Sequence, residues 1–259
     1  MMSRSIRKTF RINKERRLGK VLIIAEGETE VQCLRRIFNG IFGYKVVKVN
    51  KASQCHVFKS DQSGTLVVVA NACSSNIKSV LDDTERERIV LAAQKEVGES
   101  FRNYRIYYIW DRDEKSNIKE DVNKAISKLG NPQMNDNGVY EGGLLLLSYP
   151  CYESFLISNY MKRLFLNMHP KDYIKGDLKK KINYRKINEV TLVKATKDMV
   201  EKCATLEIDC LLDDYVVQNS RLFRKEEEIL KAKNEYLLIS QISLLMLDLG
   251  LIEIDDPER

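Results

Sequence analysis

The stretch VLIIAEGETE, residues 21–30, drives five apolar residues into Glu26, Glu28 and Glu30 around Gly27. IYYIWDRDE, residues 106–114, does the same with Asp111, Asp113 and Glu114. Carboxylates crowded together repel, raise one another's pKa and destabilise a fold. A divalent cation removes that conflict, and Mg²⁺ held by one or two carboxylates with several waters is the usual phosphate-handling arrangement. The chain has only two histidines, His56 and His169, and six scattered cysteines with no C-x-x-C pair. A His/Cys zinc cage or a His-based triad therefore lacks its ligands. Any ion would be held by oxygen, which favours Mg²⁺, Mn²⁺ or Ca²⁺.

Each acid also has an ordinary explanation. Glu28 and Glu30 fall at a helix start, where negative charge suits the macrodipole. Asp-x-Asp is common in turns because Asp suits them. The specific signal is the combination: strand-Glu-Gly-x-Thr-Glu-helix, then strand-Asp-x-Asp-helix, in one chain.

The elements that must position these acids can be read from periodicity. Residues 21–25 and 105–110 are short apolar runs of buried-strand type. A helix over 29–38 follows the first, with Val31, Leu34, Ile37 and Phe38 on one face. YKVVKV and GTLVVVAN are further strands, with a polar loop over 50–64 between them. A long helix capped by Ser75 is expected to reach residue 96, and another spans 118–129. GGLLLLSY is a strand leading through Pro150 to a helix over 152–166. The alternation predicts an α/β fold with a largely parallel sheet flanked by helices. Ligands in such sheets sit beyond the carboxyl ends of the strands, so Glu26, Asp111 and Asp113 converge if their strands are neighbours. After about residue 168 the strand signal fades into predicted helices over 171–185, 191–204 and 220–248. The last carries Phe223, Leu230, Leu237 and Leu244 at seven-residue spacing, a core stripe or a dimer seam. The expected organisation is a basic arm over 1–19, partly helical, an α/β domain over 20–168 and a helical region over 169–259.

With 44% hydrophobic residues the chain can build a core. No apolar run approaches a membrane span, and the basic N-terminal stretch has no apolar segment behind it to make a secretory signal. The scattered cysteines read as reduced thiols, which predicts a cytoplasmic protein. Net charge is only +6 but unevenly spread. Residues 4–20 hold eight Lys/Arg against one acid, and 162–186 hold nine against two. Arg11, Lys14, Arg16 and Arg17 in the first segment, Lys179, Lys180 and Lys181 in the second, and Lys115 beside the acidic loop are candidates for tracking phosphates. Solvated surface is the ordinary alternative for each.

The two acidic motifs together resemble a Toprim domain, the metal-binding fold of topoisomerases, bacterial primases and OLD nucleases. The resemblance implies that Glu26, Asp111 and Asp113 hold Mg²⁺ (or Mn²⁺) for phosphodiester chemistry, with Glu30 matching the second glutamate of OLD-like members. SYPCYESFLISNY, residues 148–160, resembles the NPCFE-x-W-L-L stretch of RloB-like proteins. On that likeness Glu153 becomes a further metal ligand. Tyr149 stands where that stretch has Asn. In size, early glutamate and helical C-terminal half the chain is also similar to AriB-type effectors of the PARIS anti-phage system. The resemblance covers roughly residues 18–165.

What the resemblance implies is a metal-dependent endonuclease, a toxic anti-phage effector cleaving tRNA ahead of DNA. It implies control by an ABC-type ATPase and an active homodimer. The chain has no G-x-x-x-x-G-K-[ST], so it does not hydrolyse nucleotide by a P-loop. An OLD-like DNA nickase and a non-catalytic Toprim-fold module binding nucleic acid or a partner protein stand as alternatives. The sequence does not separate a ligand role for Glu26 from a general-base role.

Overall fold

The apolar runs before the acids are apolar throughout because both of their faces are covered. The computed structural model describes residues 8–50, 55–61, 64–133, 142–162, 164–210 and 214–255. In chain order the elements begin with β1 (Thr9–Ile12), β2 (Lys20–Ala25), α1 (Glu28–Gly40), β3 (Lys45–Asn50), β4 (Cys55–Lys59) and β5 (Leu66–Asn71). They continue with α2 (Lys78–Leu81), α3 (Asp83–Val97), β6 (Arg105–Asp111), α4 (Lys119–Lys128), β7 (Gly130–Asn131), β8 (Gly143–Tyr149) and α5 (Glu153–Tyr160). Then come β9 (Phe165–Leu166), α6 (Pro170–Tyr173), α7 (Asp177–Lys181), a 3-10 turn (Tyr184–Lys186), α8 (Glu189–Thr205) and α9 (Tyr215–Lys233). β10 (Tyr236–Leu237), β11 (Ile239–Ser240), α10 (Ile242–Asp248) and β12 (Ile252–Asp255) complete the set.

The main sheet runs β11-β8-β6-β2-β5-β4-β3, with β7 paired to β8. Its centre is parallel: β2 pairs with both β5 and β6, and β6 with β8. Antiparallel strands close it on both sides, β4 and β3 beyond β5 and β11 beyond β8. Helices flank this mixed sheet and a helical part follows it, so the α/β expectation holds. Val21–Ala25 of β2 are fully buried, as are Ile106, Tyr107 and Tyr108 of β6 and Leu144, Leu145 and Leu147 of β8. Parallel strands covered on both faces read as continuous apolar runs.

Several expectations are corrected. The expected arm is not helical where it is described: β1 pairs antiparallel with β12, Phe10 opposite Ile254. Residues 1–7 of that arm lie outside the described residues. The loop over 50–64 contains β4, whose Cys55–Phe58 run is buried between its neighbours. The helix expected from Ser75 is interrupted at Asp82, which turns extended and caps α3 by accepting the Glu85 N–H (3.0 Å). Asp competes with the helix by bonding nearby N–H groups, so it starts helices better than it continues them. The helix over 152–166 stops at Tyr160, where Met161 turns extended. The one expected over 171–185 is broken into α6, α7 and a 3-10 turn, with Gly176 at φ +56° between the first two.

The long C-terminal helix is also divided. α9 ends at Asn234, which takes the left-handed conformation that Asn tolerates at a helix end. The chain then turns extended, and Ile239 and Ser240 pair with Tyr149 and Ser148 at the sheet edge. Leu237 and Leu244 of the seven-residue series are buried, but no single helix carries all four residues. Among the described residues no helix is long and apolar enough to cross a membrane.

Gly143 opens β8 at φ +139°, a region essentially closed to L side chains, and an added Cβ would stand 2.4 Å from a ring carbon of buried Tyr108. Gly143→Ala is expected to lower unfolding stability by ~2–4 kcal/mol. The check is a lower urea midpoint at unchanged slope. An unchanged midpoint would show that Tyr108 moves aside freely.

Candidate metal and phosphate site

The strands that end in acids are adjacent. β2 and β6 run parallel with Ala25 opposite Ile109. The Glu26 N–H continues their ladder by donating to the Ile109 carbonyl (3.0 Å). The Glu26 carboxylate then takes the next rung: Asp111 N–H donates to Glu26 Oε2 at 2.7 Å. On the other side β6 pairs with β8, Asp111 opposite Ser148. The acidic loop stays tied to that segment, Arg112 N–H to Ser148 O (2.9 Å) and Asp113 N–H to Pro150 O (2.9 Å). Asp111 Oδ1 accepts the Tyr152 N–H at the mouth of α5 (2.7 Å). All three sequence motifs therefore meet at one end of the sheet.

Two helices add their first-turn acids. Glu30 is buried in the first turn of α1. Its Oε2 would lie 2.9 Å from a Cβ on Gly27, so this carboxylate packs over the glycine of the motif. Glu153 opens α5, and its Oε2 is buried with no hydrogen-bond partner. A first-turn position also suits the helix dipole, but it leaves this oxygen unbonded. An orphaned buried acceptor calls for a ligand, a water or an ion. Asp113 is half-buried; its Oδ2 accepts from Ser116 Oγ (3.0 Å) and its Oδ1 from the Lys115 N–H (3.2 Å).

The five acids feel one another. Burial pushes Glu26 from 4.5 up to about 7; the Asp111 N–H works against that, and Glu30 and Asp113 add to it. Burial, then Glu26 and Glu30, raise Asp111 well above the usual carboxylate range. Glu30 is raised by burial and by Glu153. Repulsion among buried carboxylates is the cost that a bound cation would remove.

The residues fit a hard cation in donor chemistry. The set is all oxygen, and Glu153 Oε2 has no hydrogen-bond partner among the described residues. As the side chains stand, no three His, Cys, Asp or Glu groups among the described residues form a ligand set, Asp113 being turned onto Ser116. Glu26, Asp111 and Asp113 would hold the ion, with Glu30 and Glu153 beside them.

Sequence reasoning missed Lys171. It follows Pro170 at the start of α6, and its Nζ stands 3.9 Å from Asp111 Oδ2. Burial pulls its ammonium down, but Asp111, Glu153, Cys151 and Asp113 together raise it. His169 is close enough to Glu153 and Asp113 to feel both; burial and Lys171 lower it. No local signal marks either residue, because their partners are distant in sequence.

The predicted basic residues divide. Arg11 is bound to Glu253 (2.6 Å) and lies 3.7 Å from Asp255 across the β1–β12 pair. Lys14 pairs with Glu189 (2.5 Å), and Arg16 donates to the Leu249 carbonyl (3.3 Å). Arg17 and Lys115 are exposed. Lys179, Lys180 and Lys181 occupy the exposed last turn of α7, where Lys180 pairs with Asp177 (3.1 Å). A surface cavity of about 770 Å³ lined by α3 and the turn after it shares no residue with the acids. Comparison with family models, curated proteins and solved structures returned no match.

Between 4.5 and about 7 the folded chain holds a proton on Glu26 that the unfolded chain releases. Stability without metal therefore falls as pH rises through that window and recovers below it. The melting temperature in EDTA is expected to drop from about pH 5 to about pH 8. Glu26→Gln should flatten the drop, and Mg²⁺ should raise the melting temperature more at the higher pH. A Mg²⁺ effect of equal size at both ends would exclude a metal site built from these acids.

Proposed function

We propose that this chain is a Toprim-like, metal-dependent endonuclease hydrolysing phosphodiester bonds in nucleic acid. The observation that carries the reading is the bond from Asp111 N–H to Glu26 Oε2, which joins the two acidic motifs at neighbouring strand ends. Glu26, Asp111 and Asp113 are assigned to one Mg²⁺ or Mn²⁺, with Glu30 and Glu153 extending the ligand set. When bound, the ion polarises the phosphate and stabilises the leaving oxygen. The chain's own part is to fix Asp111 through the Tyr152 N–H and to set an ammonium, Lys171, where a phosphate oxygen can pair with it.

Substrate and setting follow the resemblance to RloB-like and AriB-type proteins. The proposed role is a cytoplasmic anti-phage effector that cuts tRNA, held in check by an ABC-type ATPase and active as a homodimer. Of the two basic segments, the second is the better phosphate track. It includes Lys171, beside Asp111, and the exposed Lys179 and Lys181 of α7, with Lys180 paired to Asp177; in the first segment Arg11 and Lys14 are both held by carboxylates. A non-catalytic binding module is the second reading. It is favoured by the Lys171–Asp111 approach, since a built-in cation already offsets part of the acidic charge.

The test is cleavage of total tRNA and of plasmid DNA with Mg²⁺, with Mn²⁺ and with EDTA, with and without an ABC-type ATPase. Cutting should need metal and fall on the order of 100-fold or more in Glu26→Ala. Cutting of plasmid alone would move the reading to a DNA nickase. No cutting under any condition, alongside tight tRNA binding, would support the binding module. Replacing Lys179, Lys180 and Lys181 together by Ala should weaken tRNA binding and flatten its salt dependence, while Arg11→Ala should change it little. Equal effects from the two would remove the distinction drawn between the basic segments.

A further inference from the structure

Between the two aspartates of the acidic loop lies a cation that faces away from them. Arg112 is 6% exposed. Its Nε donates to Glu227 Oε1 (2.8 Å), and its Nη2 lies 2.7 Å from the same oxygen. Nη1 donates to the Asn117 carbonyl (2.6 Å), and the guanidinium lies over the Phe223 ring at 5.2 Å. Glu227 and Phe223 both belong to α9, so the contact spans 115 residues of sequence. Asn117 closes the other side. Its Nδ2 donates to the Asp111 carbonyl (3.1 Å) and the Ser75 carbonyl (3.2 Å), and its Oδ1 accepts the Ile77 N–H (2.7 Å).

The plain account is a buried ion pair that holds α9 against the sheet. The placement asks for more. Asp111 and Asp113 have no freedom along the chain that Arg112 does not share. Arg112 is fixed by charge, by a carbonyl and by an aromatic face at once, and a planar fork held on several sides tolerates little rotation. Lys in its place could not reproduce those contacts. A second tie acts on the same loop: Tyr236 donates its hydroxyl to Glu114 Oε1 (3.0 Å).

We propose that Arg112 is a positioning residue, anchored by Glu227 and Phe223 of α9, that presents Asp111 and Asp113 to the cation. The inference rests on the metal-site reading above. It makes α9 the element through which the C-terminal part sets the affinity of the site.

Removing one partner of a buried pair strands the other, which would mix stability with position. The decisive variant therefore removes both: Arg112→Met with Glu227→Leu, which keeps apolar contact with Phe223 but has no directed bonds. Mn²⁺ binding to the metal-stripped protein is measured by calorimetry, with Glu26→Ala as the blank and urea midpoint and circular dichroism as checks of the fold. The double variant is expected to keep its fold and bind Mn²⁺ about tenfold or more weakly, with Arg112→Lys in between. If the double variant does not fold, Arg112→Gln with Glu227→Gln, a neutral pair that also removes both charges, carries the same comparison. Unchanged Mn²⁺ affinity in a folded variant would overturn the inference and leave the metal site standing. Absence of Mn²⁺ binding by the unaltered protein would remove the metal site and this inference with it.

Discussion

The hydrogen bond from Asp111 N–H to Glu26 Oε2 is the constraint on which the rest of the site depends. A side chain there does what a backbone carbonyl does one rung earlier in the ladder, so the sheet is extended by one rung made of a carboxylate. That rung fixes Glu26 beside Asp111 whether or not the two charges favour it. Burial and mutual repulsion oppose the arrangement; among the described residues two backbone N–H donors and the ammonium of Lys171 offset it. Such a concentration of unfavourable charge persists because the strands beneath are packed on both faces and cannot separate the acids.

The C-terminal part is joined to the sheet by polar contacts, many of them buried. Lys202 of α8 lies 2.5 Å from Asp198 and donates to the Leu238 carbonyl (2.5 Å), with both charges almost wholly enclosed. Asn219 of α9 donates to the Leu145 carbonyl (2.8 Å), and Gln241 accepts the Leu147 N–H (2.7 Å). Tyr107 of β6 and Tyr215 of α9 both donate to Asp248. Buried polar pairs of this kind add little net stability but tolerate only one arrangement. They therefore fix where α9 stands relative to β8, and so where Glu227 meets Arg112. Tyr149, which departs from the RloB-like stretch, lines a small cavity shared with Glu226, Glu227 and Arg112, and its hydroxyl has no hydrogen-bond partner.

The central strands and the acids at their ends were legible in the sequence because both signals are local. A run such as LLLL or VLIIA reads as a doubly covered strand without knowledge of its neighbours, and Glu-Gly-x-Thr-Glu is complete within five residues. Strand adjacency was not local, and it turned on register: Ala25 opposite Ile109 rather than a strand further away. What was missed follows the same rule. β4 hid in a polar stretch because only Cys55 to Phe58 are buried. β10 and β11 hid in an apparent heptad because Leu237 and Ile239 are as buried at a sheet edge as they would be on a helix. Lys171 and the Arg112–Glu227 pair could not be found by spacing at all, since their partners are brought together only by the fold.

The placement of β11 bears on when the site comes into being. Leu147 and Gln241 are separated by 94 residues, yet they share the edge that completes the sheet. Synthesis proceeds from the N-terminus, so all five acids leave the ribosome long before Glu227, Tyr236 or β11 exists. The pairing that closes the sheet is thus among the last contacts a nascent chain can make, and non-local contacts of this kind are slow to form. An unfinished chain carries the acids without the groups that aim them.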